Sequence, residues 1–331
     1  MAGHDDSKTG PDLSRGVSPS DIPESGLLQG HVGEDTVLLA RSGGDYFAIG
    51  GTCTHYSGPL AEGMLSGDTL SCPWHHARFS LRSGEPLRAP ALSPVSCWSI
   101  AQRDGKIFVT GKKEPAPSPK PQATDAPSAI VIVGGGAAGF AAAEMLRRMG
   151  FAGGITMISD DHDAPVDRPN LSKDFLAGTA PEDWLPLRPD DWYSENRIDL
   201  RLDTKAVAIR PDARDIELAG GERIRYDRLL LATGAEPVRL DIPGADQPHV
   251  HTLRSLRDSR TIIAAAQSAR RVVVIGARFI GLEVAASLRT RGLEVAVVAP
   301  EERPLERVFG PARSEERRVG KECRSRWSPY H

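Results

Sequence analysis

The 331 residues carry a formal net charge of −3, with 40% apolar and 26% charged side chains, the balance of a folded chain with material for more than one core. No apolar run reaches the roughly 18–20 residues of a membrane span, the polar first residues lack a secretory apolar stretch, and no basic excess points to nucleic acid. Four cysteines are too few for a disulfide scaffold of this size and favour a reducing, cytoplasmic setting.

Residues 1–25 read as a polar N-terminal arm. From 26 to 111 the chain alternates short strands with tight turns. Thr36-Val-Leu-Leu-Ala-Arg41 and Asp45-Tyr-Phe-Ala-Ile49 flank Ser42-Gly-Gly44. Trp98-Ser-Ile-Ala-Gln-Arg103 and Lys106-Ile-Phe-Val-Thr110 flank Asp104-Gly105, the stronger hairpin signal because a type I′ turn needs φ > 0. Between these hairpins stand Cys53-Thr-His55 and, after sixteen intervening residues, Cys72-Pro-Trp-His75. Two thiolates and two imidazoles suit a [2Fe–2S] centre with the cysteines on one iron and the histidines on the other. A structural Cys₂His₂ zinc site uses the same four ligand types.

The flanking residues decide between them. Tyr56-Ser-Gly-Pro-Leu60 follows the first histidine, and His76-Ala-Arg-Phe79 through Gly84 follows the second. The whole region resembles Rieske ferredoxin domains, whose signature is C-x-H, a spacer, then C-x-x-H. The resemblance implies the ligands Cys53, His55, Cys72 and His75, with His76 a neighbour at a place where the family often has glycine. High-potential Rieske proteins add one cysteine to each loop; here Ser57 or Gly58, and Trp74, occupy those places. No disulfide forms, and the potential is expected toward the low end of the roughly −150 to +300 mV Rieske range. Cys97, on a strand flank, reads as a small buried hydrophobe.

Residues 112–128 contain five prolines and almost no apolar side chains, the composition of an extended linker. Beyond it, Ala129-Ile-Val-Ile-Val133 is a short buried strand leading directly into Gly134-Gly-Gly136-Ala-Ala-Gly139 and a helical run. A second strand, Gly154-Ile-Thr-Met-Ile-Ser159, ends at Asp160, 26 residues after the first glycine. Strand, glycine turn, helix, strand and acid form the dinucleotide-binding context. Gly134 makes the turn, Gly136 admits the pyrophosphate, Gly139 lets helix and strand close up, and Asp160 (or its neighbour Asp161) takes the ribose hydroxyls. The helix N-terminus supplies donors to the phosphates.

Asp167-Arg-Pro-Asn-Leu-Ser-Lys173 and Tyr226 through Ala232-Thr-Gly234 follow. With the glycine turn they resemble two-dinucleotide-fold flavoprotein reductases, in the branch of apoptosis-inducing factor and of the ferredoxin reductases of oxygenase systems. The resemblance implies an FAD-binding domain over 129–248, with Arg168, Lys173, Ala232, Thr233 and Gly234 touching FAD and Val207 offering its backbone to adenine. Disulfide reductases of that superfamily carry a cysteine pair after the second strand. Residues 161–180 contain no cysteine, which removes thiol–disulfide exchange.

Arg271-Val-Val-Val-Ile275, Gly276-Ala-Arg-Phe-Ile-Gly281, a helix, and Leu293 through Ala299 repeat the first unit and read as the NAD(P)H domain over 249–312. Arg278 replaces the second glycine; its side chain either crowds the pyrophosphate or pairs with it. Glu301, 25 residues after Gly276, would accept from the adenosine ribose and repel a 2′-phosphate, favouring NADH over NADPH; nearby Arg303 moderates that preference. The resemblance also places Glu283 beside the flavin, paired with Lys173.

Residues 313–331 lack apolar periodicity and resemble the translation of a DNA-sequencing adapter. They are expected to be a non-native tail on a reductase fold left incomplete at the C-terminus, since no Gly-Asp pair suited to the flavin ribityl chain follows. The expected architecture is multidomain: a small antiparallel β Rieske domain, then an α/β two-dinucleotide-binding (Rossmann-like) reductase fold. The expected function is transfer of electrons from NADH through FAD to the [2Fe–2S] cluster. An acceptor beyond it, an oxygenase or a small molecule, is not identified by the residues. The rival is a flavin and iron–sulfur redox sensor without turnover.

Overall fold

The computed structural model describes residues 10–23, 25–114 and 127–318, in two compact units divided between Ser118 and Pro119. Among the described residues no helix is long and apolar enough to cross a membrane.

The first unit is all β. In chain order its strands are β1 (Leu27–Val32), β2 (Asp35–Ser42), β3 (Asp45–Gly50), β4 (Met64–Ser66), β5 (Thr69–Ser71), β6 (Arg78–Ser80), β7 (Pro86–Arg88), β8 (Cys97–Arg103) and β9 (Lys106–Lys112). They make an antiparallel sheet ordered β1-β2-β3-β8-β9 and a smaller one ordered β4-β5-β6-β7. Both expected hairpins form. Asp104 and Gly105 take φ of 52° and 70°, the pair of positive angles that makes Asp-Gly a hairpin signal. The small sheet was not anticipated, because three-residue strands are too short to show a period of two.

β2 is buried on both faces, and this corrects the expected polar arm. Leu38 and Ala40 face a core containing Cys53, Cys72 and Phe79. Val37 and Leu39 face a second core to which the preceding segment contributes Leu13, Val17 and Ile22. Val17 bridges Ile107 of β9. Those apolar residues are diluted by polar neighbours in sequence, so only the folded sheet shows that they cover one face. Leu13 is fully buried, and Leu13→Ala is expected to destabilise the unit by about 2–5 kcal/mol, read as a lowered urea midpoint.

The expected linker is also shorter at its ends. Lys112 lies in β9 and the Lys113 N–H donates to the Cys97 carbonyl at 2.7 Å. At the other end Asp227 Oδ2 accepts from the Ser128 N–H at 2.7 Å and from Ser128 Oγ at 2.6 Å. Residues 115–126 lie outside the described residues.

The second unit contains β10 (Ala129–Val133), α1 (Ala137–Arg148), β11 (Gly154–Ile158), α2 (Asp174–Ala177), α3 (Asp190–Glu195), β12 (Ile198–Arg201), β13 (Ala206–Arg210), β14 (Asp215–Leu218), β15 (Arg223–Arg225) and β16 (Arg228–Leu231). Strands β12-β11-β10-β16 form a parallel sheet, and β13-β14-β15 an antiparallel meander that packs Ile216 and Leu218 against Val131, Val133 and Ile158. Then come α4 (Leu256–Ala266), β17 (Arg271–Ile275), α5 (Phe279–Thr290), β18 (Glu294–Val298) and α6 (Glu306–Arg318). β17 and β18 pair in parallel, repeating the β10–β11 unit. α6 is two helical pieces kinked at Gly310. The segment expected as a tail from 313 therefore starts within a helix, where Arg303 Nε donates to Glu315 at 2.8 Å; residues 319–331 lie outside the described residues.

Candidate functional site

The two cysteine–histidine loops share one backbone turn. The Cys53 N–H donates to the Gly58 carbonyl at 2.8 Å and the Ser57 N–H to the Cys53 carbonyl at 2.9 Å. In the second loop the Cys72 N–H donates to the Ala77 carbonyl at 2.8 Å and the His76 N–H to the Cys72 carbonyl at 3.2 Å. The fifth residue of each turn is left-handed, Ser57 at φ 55° and His76 at φ 59°. That backbone need is why glycine suits the position His76 holds. On matching turns, the histidine comes third in one loop and fourth in the other.

The turns bring like atoms together. The two thiols are buried and hydrogen-bonded to each other, which holds the Cys72 pKa below that of an ordinary thiol and pushes Cys53 up. Amide N–H groups of Trp74 and His75 also point at the Cys72 sulfur, and the His55 amide at Cys53. The imidazoles of His55 and His75 meet edge-on with centroids 4.9 Å apart, and burial, then His75, lowers the His55 pKa. His55 Nδ1 is buried and finds no hydrogen-bond partner. A buried ring nitrogen of this kind normally has one, so the orphan fits a metal ligand. A sulfur pair beside a nitrogen pair is the donor set of a [2Fe–2S] centre of this type. A Cβ on Gly58 would lie 3.0 Å from the Cys72 sulfur, so the small residue leaves that sulfur room.

In the second unit, Gly134 takes φ 124°, and a Cβ there would stand 2.1 Å from the Ala232 carbonyl. The first glycine turn and the Ala232-Thr-Gly234 loop are thus in contact, with the Ala232 N–H donating to the Val133 carbonyl at 2.8 Å. A Cβ on Gly139 would lie 2.0 Å from the Gly134 carbonyl, the close helix approach expected of the third glycine. A Cβ on Gly136 would meet the Arg168 guanidinium at 3.8 Å, so a cation faces the turn expected to admit a pyrophosphate. Arg168 is held there by Asp161 at 2.8 Å. Asp160, the candidate for the ribose, is exposed just past the end of β11. Val207 falls at a register irregularity between Ala206 and Ala208, which takes its backbone out of the ladder.

Glu283 and Lys173 do meet: Nζ lies 3.0 Å from Oε1. Sequence reading missed the rest of this cluster. Ser172 Oγ donates to Glu283 Oε2 at 2.6 Å. Ser287, one turn along α5, donates to the Ser172 carbonyl at 2.8 Å. The spacing of Glu283 and Ser287 was a legible signal of one helix face, but nothing in the sequence says what that face meets. Arg254 was also missed; its Nη2 lies 3.1 Å from where a Cβ on Gly234 would stand.

The second glycine turn copies the first. Gly276 takes φ 115° and a Cβ on Gly281 would stand 2.0 Å from the Gly276 carbonyl. Arg278 reaches from this turn toward the next strand end: its Nη2 lies 3.8 Å from Glu301 Oε1, drawn there by the opposite charge.

Comparison with known proteins agrees with this geometry. Residues 16–99 match the Rieske [2Fe-2S] domain, and residues 128–319 match the family described as pyridine nucleotide-disulphide oxidoreductase. The chain is 33% identical over 301 residues to apoptosis-inducing factor 3 of Homo sapiens, covering 88% of this chain and 49% of that one. It is 39% identical over 184 residues to a rubredoxin-NAD(+) reductase of Pseudomonas putida, covering 56% of this chain and 48% of that one. The solved covalent putidaredoxin reductase–putidaredoxin complex aligns with a TM-score of 0.54 and 36% identity over 58% of this chain and 47% of that one. The chain spans about half the length of the curated relatives it matches. It belongs to the pyridine nucleotide-disulphide oxidoreductase family, whose reductases use FAD and NAD(H), and it carries a Rieske [2Fe–2S] domain ahead of the first glycine turn.

Proposed function

We propose that this protein is a cytoplasmic, NADH-dependent oxidoreductase that delivers electrons through FAD to its own Rieske centre and on to an acceptor. The observation that carries the reading is the Lys173–Glu283 contact, which joins the flavin-side segment to the helix behind the second glycine turn. When bound, FAD accepts a hydride and releases electrons singly, which suits the one-electron [2Fe–2S] centre.

The chain's own residues bind and orient. The first glycine turn, Arg168 and the Ala232-Thr-Gly234 loop would hold FAD, and the turn from Gly276 to Gly281, with Glu301, would hold the nicotinamide nucleotide. Glu283 keeps the Lys173 ammonium in place, and Ser172 occupies the second carboxylate oxygen, so neither group swings freely where the two nucleotides would approach. Cys53, His55, Cys72 and His75 would hold the cluster. The similarity to a rubredoxin reductase and to a putidaredoxin reductase in complex with putidaredoxin supports a protein acceptor.

Rapid-mixing reduction of the FAD-loaded chain by NADH tests this. Glu283→Gln removes the charge that holds Lys173 and is expected to slow reduction roughly 10- to 100-fold, the cost of a misplaced orienting group. A purified chain that takes up no FAD overturns the reading.

A further inference from the structure

Past β18 the chain doubles back onto the second glycine turn. Leu305, at φ 60°, donates its N–H to the Ala277 carbonyl at 3.0 Å, and both residues are buried. The Phe309 ring meets Phe279 edge-on at a centroid distance of 6.1 Å. This return sets two arginines on one carboxylate. Arg307 Nε lies 3.2 Å from Glu301 Oε1, and Arg278 Nη2 lies 3.8 Å from the same oxygen. The Glu301 side chain is 12% exposed, whereas those of Arg278 and Arg307 are 59% and 65% exposed.

An acid standing alone at this strand end accepts from the ribose hydroxyls and repels a 2′-phosphate, while a nearby arginine accommodates that phosphate. Here one carboxylate faces two guanidiniums, so the cluster is net positive. Guanidinium forks match phosphate oxygens in geometry as well as charge. Arg303, the cation next in sequence, does not contribute, because Glu302, Glu306 and Glu315 take up its donors. Nor is Arg278 a strained substitute for glycine. Its backbone, at φ −100° and ψ −171°, nearly copies that of Gly136 at φ −83° and ψ −174°. A side chain is therefore accommodated at this turn and aimed at the ribose end.

We propose that Arg278 and Arg307 are specificity-determining residues that form a 2′-phosphate site at the ribose end of the second nucleotide fold, so that the site accepts NADPH as well as NADH. The proposal rests on reading that fold as the nicotinamide nucleotide site. With NADH, the Glu301 carboxylate accepts from the ribose hydroxyls. With NADPH, the two exposed guanidiniums turn from Oε1 to the phosphate. Glu301 sets the balance by competing with the phosphate for both.

Calorimetric titration of the full chain with 5′-AMP and with adenosine 2′,5′-bisphosphate tests this without any turnover. The unmodified chain is expected to bind the bisphosphate within about tenfold of 5′-AMP. Glu301→Gln should raise the preference for the bisphosphate by about tenfold, since it frees both arginines from a competing anion. Arg278→Gly combined with Arg307→Ala should weaken bisphosphate binding about tenfold or more while 5′-AMP binding holds. If 5′-AMP binds but neither variant shifts the ratio, the arginine site is wrong and the nucleotide fold stands. If neither compound binds the unmodified chain, both readings fall.

Discussion

Cys72→Ser is expected to yield a chain whose first unit keeps its sheets but holds no [2Fe–2S] centre. Cys72 is buried in a tight turn, and its sulfur receives the Cys53 thiol together with the Trp74 and His75 amides. A hydroxyl there is a poor ligand, because it stays protonated near neutral pH and lacks the softness of sulfur. Loss of iron, acid-labile sulfide and the visible cluster absorption is the expected readout, with far-ultraviolet dichroism of the β strands retained. The same variant separates turnover from sensing. NADH oxidation by an acceptor that draws from the flavin should persist, and oxidation by one that draws through the cluster should vanish. Iron content equal to that of the unmodified chain would remove Cys72 from the ligand set.

Gly134→Ala should be among the most damaging single changes in the second unit. At φ 124° an added Cβ is strained, and it also lands 2.1 Å from the Ala232 carbonyl and 2.5 Å from its carbon. Neither atom belongs to a side chain that can swing away. The expected cost is about 3 kcal/mol or more, combining backbone strain with a forced shift between strands, and FAD retention should fall with it. Gly276→Ala is the natural control. Its φ of 115° is similar, but an added Cβ there meets nothing within 4 Å, so it should cost only the strain, about 1–3 kcal/mol. Urea midpoints that fall equally for the two variants would show that contact with the Ala232 loop does not matter.

Much of this organisation was legible because its signals are local. The Asp104-Gly105 turn, the two glycine turns and the strand–turn–helix order depend on residues within a few positions of one another. The structure places those elements where the periodicity indicates. The cysteine–histidine loops were legible for the same reason: each cysteine and its histidine lie within one turn. What escaped is non-local. Leu13, Val17 and Ile22 look incidental in a polar stretch, and their burial depends on β2 needing cover on its second face. The small sheet β4-β5-β6-β7 is held by pairing between three-residue strands, too short for a pattern. Glu301 was readable as an acid at a strand end, but its two arginine partners were not.

The sequence by itself determined which chemistry is present: two thiolates and two imidazoles in matching loops, and two glycine turns, each with a strand and an acid. Those assignments follow from residue type and short spacing, which the backbone translates directly into geometry. Tertiary structure decided how the groups face one another. It paired sulfur with sulfur and imidazole with imidazole, set Glu283 against Lys173 from 110 positions away in sequence, and folded the chain back so that Arg307 joins Arg278 on Glu301. Such contacts depend on packing between distant elements, where charge and shape are satisfied only after the chain has closed.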